Sequence, residues 1–332
     1  MERAPTGGTK DCPDYRALLE CELEGAGFCT WGFLDKKALS AVLADCGTDP
    51  SVRRRYGIDE AEGLAVVALR YGEGEFPAPS WAGSDTFDPD ETASVELARF
   101  ARANWYGEIL ARLGGAVQHL VEKASQRGLD PPPPKRWKRL SNSPLPERLL
   151  ALAAGLGVLG KNGLLIAEPR SANGGAATSA VLIGLLACPA NLGEAPSAAS
   201  SGKNTCAGCN ACIEACPTNA LREGEGFQRK LCLQNWTARD LDPPPAVEER
   251  MGSILYGCDR CLESCPHFRT DPGAHTDLGI LGPRLPARFF LEKDEAEIRG
   301  KLSETALGLS WMSCGGFRRS ASRAVRLRKS PH

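Results

Sequence analysis

The stretch CAGCNACIEACP, Cys206 to Pro217, decides how the rest of the chain is read. Cys206, Cys209, Cys212 and Cys216 stand at C-x2-C-x2-C-x3-C with proline directly after the last, the run of two-cluster bacterial ferredoxins. The spacing has a physical cause. Three thiolates on one tight turn cap three irons of a cubane, and the fourth, past the turn, points toward a neighbouring cluster. A second run, CDRCLESCP from Cys258 to Pro266, repeats the pattern with one cysteine fewer. The missing ligand must come from elsewhere, and Cys232 is the only cysteine between the runs. The expected partition is Cys206, Cys209, Cys212 and Cys265 on one 4Fe–4S cluster, and Cys216, Cys232, Cys258 and Cys261 on the other. A structural zinc site competes for paired CxxC motifs. It takes four ligands at looser spacing, however, and gives no role to the crossed Cys-Pro ends.

The remaining cysteines, Cys12, Cys21, Cys29, Cys46, Cys188 and Cys314, share no ligand spacing, so inert packing is expected of them. Disulfide scaffolds are short and secreted, whereas this chain has 332 residues and its thiols are clustered, as in metal-binding proteins of a reducing cytoplasm. Forty basic and 41 acidic residues leave a net charge of -1, which argues against wholesale coating of a polyanion. The longest apolar run, around Ala180 to Ala187, is interrupted by Gly184 and falls short of the roughly 18 to 20 residues that cross a bilayer. The N-terminal MERAPTGGTKDCPD has no apolar signal region. The expected location is cytoplasmic, with no membrane partner.

Outward from the cysteines, the first 75 residues alternate helix and strand signals. An amphipathic stretch runs from Tyr15 to Ala26, followed by GFCTWGFLD and the strand-like GLAVVALRY from Gly63 to Tyr71. A polar, proline-rich loop from Phe76 to Asp90 precedes a long helical pattern from Glu91 to Arg127, with a break expected at Gly114-Gly115. Asp130 and the four prolines after it end that helix and form a stiff connector. Pro146 to Leu156 reads as a helix with proline in its first turn, and Gly157 to Lys161 as a glycine turn into the strand GLLIAE. The apolar segment Thr178 to Leu186 is expected beside that strand. The Ala, Ser and Gly composition from Asn191 to Thr205 reads as a linker, and the end of the chain as a partly helical basic tail. The expected fold class is α/β (α+β), in three ranges: residues 1–190, the cysteine-bearing 191–270, and a C-terminal extension over 271–332.

GLGVLGKNGLLI from Gly155 to Ile166, the preceding Glu147-Arg148, both cysteine runs and ILYGCDRCLESCP together resemble the epoxyqueuosine reductase family. The likeness extends to GFCTWGFLD, VVALRYG, LARFARANWYG and RKLCLQNWT. Members of that family are cobalamin-dependent iron–sulfur enzymes of tRNA processing, related to the reductive dehalogenases. The resemblance implies a nitroreductase-like, cobalamin-binding first domain followed by a ferredoxin-like domain. A low-potential donor such as ferredoxin or flavodoxin would feed two 4Fe–4S clusters, these a corrinoid, and the corrinoid a substrate. That substrate would be tRNA epoxyqueuosine or another reducible compound. Gly157, Gly160, Lys161 and Asn162 would shape the loop beside the corrinoid; a plain strand-to-helix turn with a solvated lysine is the alternative.

The sequence departs from the family where substrate chemistry is expected. Ser141, in Leu140-Ser141-Asn142-Ser143-Pro144, stands at the position of the family's proton-donating aspartate, and a hydroxyl is a far poorer acid. Of the family's D-Y-H triplet only Tyr106 survives, between Trp105 and Gly107. Tyr106 would donate a proton, with Trp105 walling the pocket, or both pack the helix onto the core. Arg148 would bind a phosphate or carboxylate, or is an exposed residue at a helix start. Arg318, Arg319, Arg323, Arg326, Arg328 and Lys329 in the tail would touch RNA phosphates or form a solvated end. These departures leave a second expectation open: an electron-transfer or corrinoid-activating protein with no substrate of its own.

Overall fold

A computed structural model describes residues 15–72, 76–77, 79–82, 93–170, 175–192 and 205–329. Cys12, most of the loop before residue 93 and residues 193–204 of the expected linker lie outside the described residues.

Helix α1 (Tyr15–Gly25) leads into strand β1 (Thr30–Asp35). Asp35 then caps α2 (Lys36–Asp45) by accepting from the Ala38 amide, and Asp49 with Pro50 opens the short α3 (Pro50–Arg55). Strand β2 (Gly63–Arg70) is buried on both faces. Its alternation sorts two cores: Ala65, Val67 and Leu69 face α1 and a later long helix, while Leu64, Val66 and Ala68 join the core of α2.

Strand β3 (Ser94–Leu97) precedes helix α4 (Trp105–Gln126), which Asn104 caps through the Gly107 amide. The helix expected from Glu91 therefore starts fourteen residues later than its periodicity suggested, because residues 94–97 are recruited as the middle strand of a sheet. Nor does Gly114-Gly115 break it. A side chain at Gly114 would collide with the Arg139 guanidinium, which donates to the Leu110 carbonyl at 3.0 Å, so that glycine admits an arginine instead. Then follow β4 (Lys138–Ser141), α5 (Glu147–Ala153), the hairpin β5 (Gly157–Leu159) and β6 (Leu165–Ala167), and β7 (Val181–Cys188).

The main sheet has the order β1-β2-β7-β4, every pair antiparallel. The mixed composition is thus realised as α+β. Helices α1 and α4 cover one face, α2 and α5 the other. The segment expected beside GLLIAE does lie next to it, joined at the Ala167–Thr178 bridge, and its apolar run forms β7, deep in the main sheet.

The cysteine region is built of short pieces: α6 (Ala211–Glu214), the hairpin β8 (Leu221–Arg222) and β9 (Gly226–Phe227), α7 (Leu233–Trp236), α8 (Pro245–Glu248), β10 (Ile254–Tyr256) and α9 (Arg260–Glu263). Beyond it lie β11 (Arg284–Pro286), α10 (Ala287–Glu292), α11 (Glu295–Leu302) and α12 (Cys314–Lys329). Strand β3 lies between β10, parallel to it, and β11, antiparallel, so one sheet draws a strand from each of the ranges 1–190, 191–270 and 271–332. A further core joins β3, Leu255 and Tyr256 to Phe289, Phe290, Ile298 and Phe317 of the C-terminal helices.

The basic tail is α12, and half its cations are structural. Arg323 is buried and donates to the carbonyls of Gly252 and Ile254 at 2.7 and 3.1 Å. Arg318 donates to Phe290 and Lys293, and Arg319 to Arg239 and Leu241. Among the described residues no helix is long and apolar enough to cross a membrane.

Candidate functional site

Two short helices, α6 after the Cys206–Cys209 turn and α9 beginning within the Cys258–Cys261 turn, pack against one another, which brings the two cysteine runs together. Cys206, Cys209, Cys212 and Cys265 line a single cavity together with Gly160, Lys161 and Asn162. Its interior of about 60 Å3 is several times what one water requires. Burial, and after it the charges of Cys206, Cys265 and Cys209, hold the Cys212 thiol up.

The other four cysteines form a second group. Burial raises the Cys258 thiol to about 11, with Cys232 and Asp259 adding to the effect. Cys261 is pushed to about 12 by burial and then by Cys258, Cys232, Cys212 and Cys216, so it stands where the two groups meet. Cys232 is raised by burial, with Cys216 among its neighbours. At Cys216 burial is outweighed by hydrogen bonds from Thr218, Ala220 and Leu221, which lower the thiol. At Cys212, Cys232, Cys258 and Cys261 neighbouring cysteines add to the effect of burial, and thiols crowded in this way suit polycationic bodies that take thiolates and release their protons.

The β5–β6 hairpin carries the α+β half onto this region. Lys161 Nζ donates to Asn210 Oδ1 at 2.7 Å, inside the first cysteine run, and lies 3.7 Å from Glu223. Asn162 donates to the Cys261 carbonyl at 3.4 Å and accepts from the Leu164 amide at 3.1 Å. Gly157 belongs to the hairpin strand: its φ is 153°, and a side chain would strike the Ile166 carbonyl. Arg148, exposed on α5, clasps the hairpin turn by donating to the Gly163 carbonyl at 2.6 Å.

A second group of polar side chains gathers at the start of α5. The Ser141 hydroxyl donates to the Ile183 carbonyl at 3.0 Å, which ties it to β7. Ser143 donates through its amide and its hydroxyl to Glu147 Oε1, at 2.7 and 2.8 Å. Burial raises Glu147 from the ordinary 4.5 to about 7, against those hydrogen bonds and the charge of Arg148. Tyr106 is held well above the usual phenol range by burial, then by the charges of Tyr256 and Glu147. Its hydroxyl faces that of Tyr256, which in turn faces the Gln234 amide. Two buried amide atoms in this group, Asn142 Nδ2 and Gln234 Oε1, have no hydrogen-bond partner among the described residues. Trp105, by contrast, is fully buried in the core under the main sheet, edge-on to Phe76. Sequence reading passed over Glu147 as an acid, although its place two residues after a buried leucine, in the first turn of an amphipathic helix, was the available signal.

Residues 205–267 match the family described as a 4Fe-4S double cluster binding domain. An epoxyqueuosine reductase from Synechococcus sp. (strain CC9605) is 30% identical over 213 residues, 63% of this chain and 56% of that one. The chain is similar to the epoxyqueuosine reductases. One from Gloeobacter violaceus is 29% identical over 229 residues, 67% of this chain and 62% of that one. The chain spans about half the length of the curated relatives it matches. The solved epoxyqueuosine reductase from Bacillus subtilis superposes with a TM-score of 0.66 at 20% identity, over 94% of this chain and 82% of that one. An epoxyqueuosine reductase solved with an epoxyqueuosine-modified tRNA-Tyr stem loop gives 0.64 at 20% identity, over 93% and 80%. The mixed α and β fold is therefore that of the epoxyqueuosine reductases, with a 4Fe-4S double cluster binding region over residues 205–267.

Proposed function

We propose that this chain is a cobalamin-dependent reductase of the epoxyqueuosine reductase type, using two 4Fe–4S clusters with the ligands partitioned as the two thiol groups lie. The observation that carries the reading is the shared cavity of Cys206, Cys209, Cys212 and Cys265, which joins the end of the second run to the first. The remaining four thiols then serve the second cluster. Ferredoxin or flavodoxin is the proposed donor.

The residues around Tyr106 fit a corrinoid, whose rim of amides can pair with the two buried, unpartnered amide atoms of Asn142 and Gln234. When bound there, a corrinoid supplies low-valent cobalt chemistry that the side chains of the protein lack. Lys161 and Asn162 hold the hairpin on the cluster region, and Arg148 holds the hairpin turn. Tyr106 and Glu147 are the groups able to hold a proton at the site, while Ser141 orients its loop through Ile183. The substrate proposed is tRNA epoxyqueuosine or another small reducible group.

The hydroxyl of Ser141 is engaged with a backbone carbonyl, and this favours one second reading: a chain that reduces a partner's corrinoid and has no substrate itself. Anaerobic reconstitution followed by cobalamin titration and by complementation of a strain lacking the reductase separates the two. Uptake of about one equivalent with rescue of queuosine supports the reductase. Uptake without rescue removes the tRNA substrate and leaves the reductase class, while no uptake removes the reductase and leaves the activating protein, whose turnover appears only when the corrinoid partner is added.

A further inference from the structure

Among the cations near the cysteines, Lys161 differs in where it sits. Its side chain is 29% exposed and lines the cavity of Cys206, Cys209, Cys212 and Cys265. Arg229 and Arg260, the cations nearest Cys232 and Cys258, are exposed at the surface, where water and salt screen them. Lys161 is also held in place. Asn210, between Cys209 and Cys212 in sequence, accepts its proton at 2.7 Å and donates to Glu223 at 3.2 Å, so one carboxylate fixes both members of the pair. Glu223 itself is 70% exposed, and its opposing charge is correspondingly weakened.

A 4Fe–4S cluster gains one negative charge when it takes up an electron. A fixed cation on its wall therefore stabilises the reduced form, by an amount that grows as water is excluded. We infer that Lys161 sets the reduction potential of the cluster held by Cys206, Cys209, Cys212 and Cys265, making it the better electron acceptor than it would be without the lysine. This rests on the ligand partition proposed above. Lys161 acts as a positioning charge at the junction between the α+β half and the cysteine region, and it biases where an electron resides. Asn162, its neighbour, ties the same loop to the Cys261 carbonyl and so keeps the lysine in register with both cysteine runs.

The test is an anaerobic redox titration of the reconstituted full chain, followed by EPR, for wild type, Lys161→Gln, Lys161→Arg and Glu223→Gln. Iron and acid-labile sulfide are counted first. Lys161→Gln is expected to weaken reduction of one cluster about tenfold, ~59 mV for a one-electron couple, and to move the other much less. Lys161→Arg should stay near wild type. Glu223→Gln should move the same midpoint upward, and this exposed substitution decides the matter should Lys161→Gln fail to fold. Two clusters whose midpoints do not move, or move equally, overturn the inference while leaving the proposed function in place. Fewer than two clusters in wild type overturn both.

Discussion

Glu147 is a carboxyl group whose surroundings change its chemistry. Its folded value of about 7 lies above the ordinary 4.5, so the folded chain binds this proton more tightly than the unfolded one. Its contribution to stability is fully present below about pH 4.5 and is lost as pH rises through about 7. The shift corresponds to ~3 kcal/mol at most by linkage. Glu147→Gln is therefore expected to flatten the fall in stability across that window, read as urea midpoints against pH. Parallel curves for the two proteins would refute it. How much of this was visible in the residues differs from one to the next. The cysteine spacings announce a cluster-binding region, since each ligand lies close to the next along the chain. Glu147 did not announce itself, because its burial arises only in the fold, where it lies near Tyr106 of another element.

At the level of elements, β7 and α4 show how a sequence feature acquires its meaning from a neighbour. Gly184 reads as an interruption of an apolar run. In the fold it lets α4 lie close on the sheet: an added Cβ would come within 2.4 Å of Ile109 Cγ2 and 2.9 Å of Val67 Cγ2. Gly184→Ala is expected to cost ~1–3 kcal/mol by overpacking, seen as a lower urea midpoint at unchanged slope. A change below a few tenths of a kcal/mol would mean that α4 can shift to accommodate the methyl group. The patterns that marked α1 and β2 held because each is kept within one element, amphipathic in α1 and a continuous apolar run in β2. Periodicity failed over residues 94–97, where four residues of helix-compatible sequence are claimed by strands more than 150 positions away.

Across the whole molecule the cysteine region is not an appended ferredoxin. Strand β3 is bracketed by β10 and β11, and α12 covers the sheet they form. Arg323 satisfies the carbonyls of Gly252 and Ile254 just before the second cysteine run. A chain ended after Thr270 is therefore expected to lose cooperative unfolding and its near-ultraviolet circular dichroism, since β3 loses a partner strand and the core around Phe290 disappears. A truncated chain that unfolds as sharply as the full one would show the extension to be dispensable. The same engagement ties Arg318, Arg319 and Arg323 to backbone carbonyls, so this part of the tail is packed against the protein rather than a solvated end.

By itself the sequence determined the cluster chemistry, the main helices and strands of the first seventy residues, and the likeness to the epoxyqueuosine reductases. All of these are carried by residues close together in the chain or by a pattern kept within one element. The tertiary structure alone decided that Lys161 lies on the wall of the cavity of Cys206 and Cys265 and that Glu147 lies near Tyr106. It also decided that the C-terminal segment completes a sheet begun at residue 94. Each of these depends on groups brought together by folding from distant parts of the chain, and such proximity leaves no local periodicity to read.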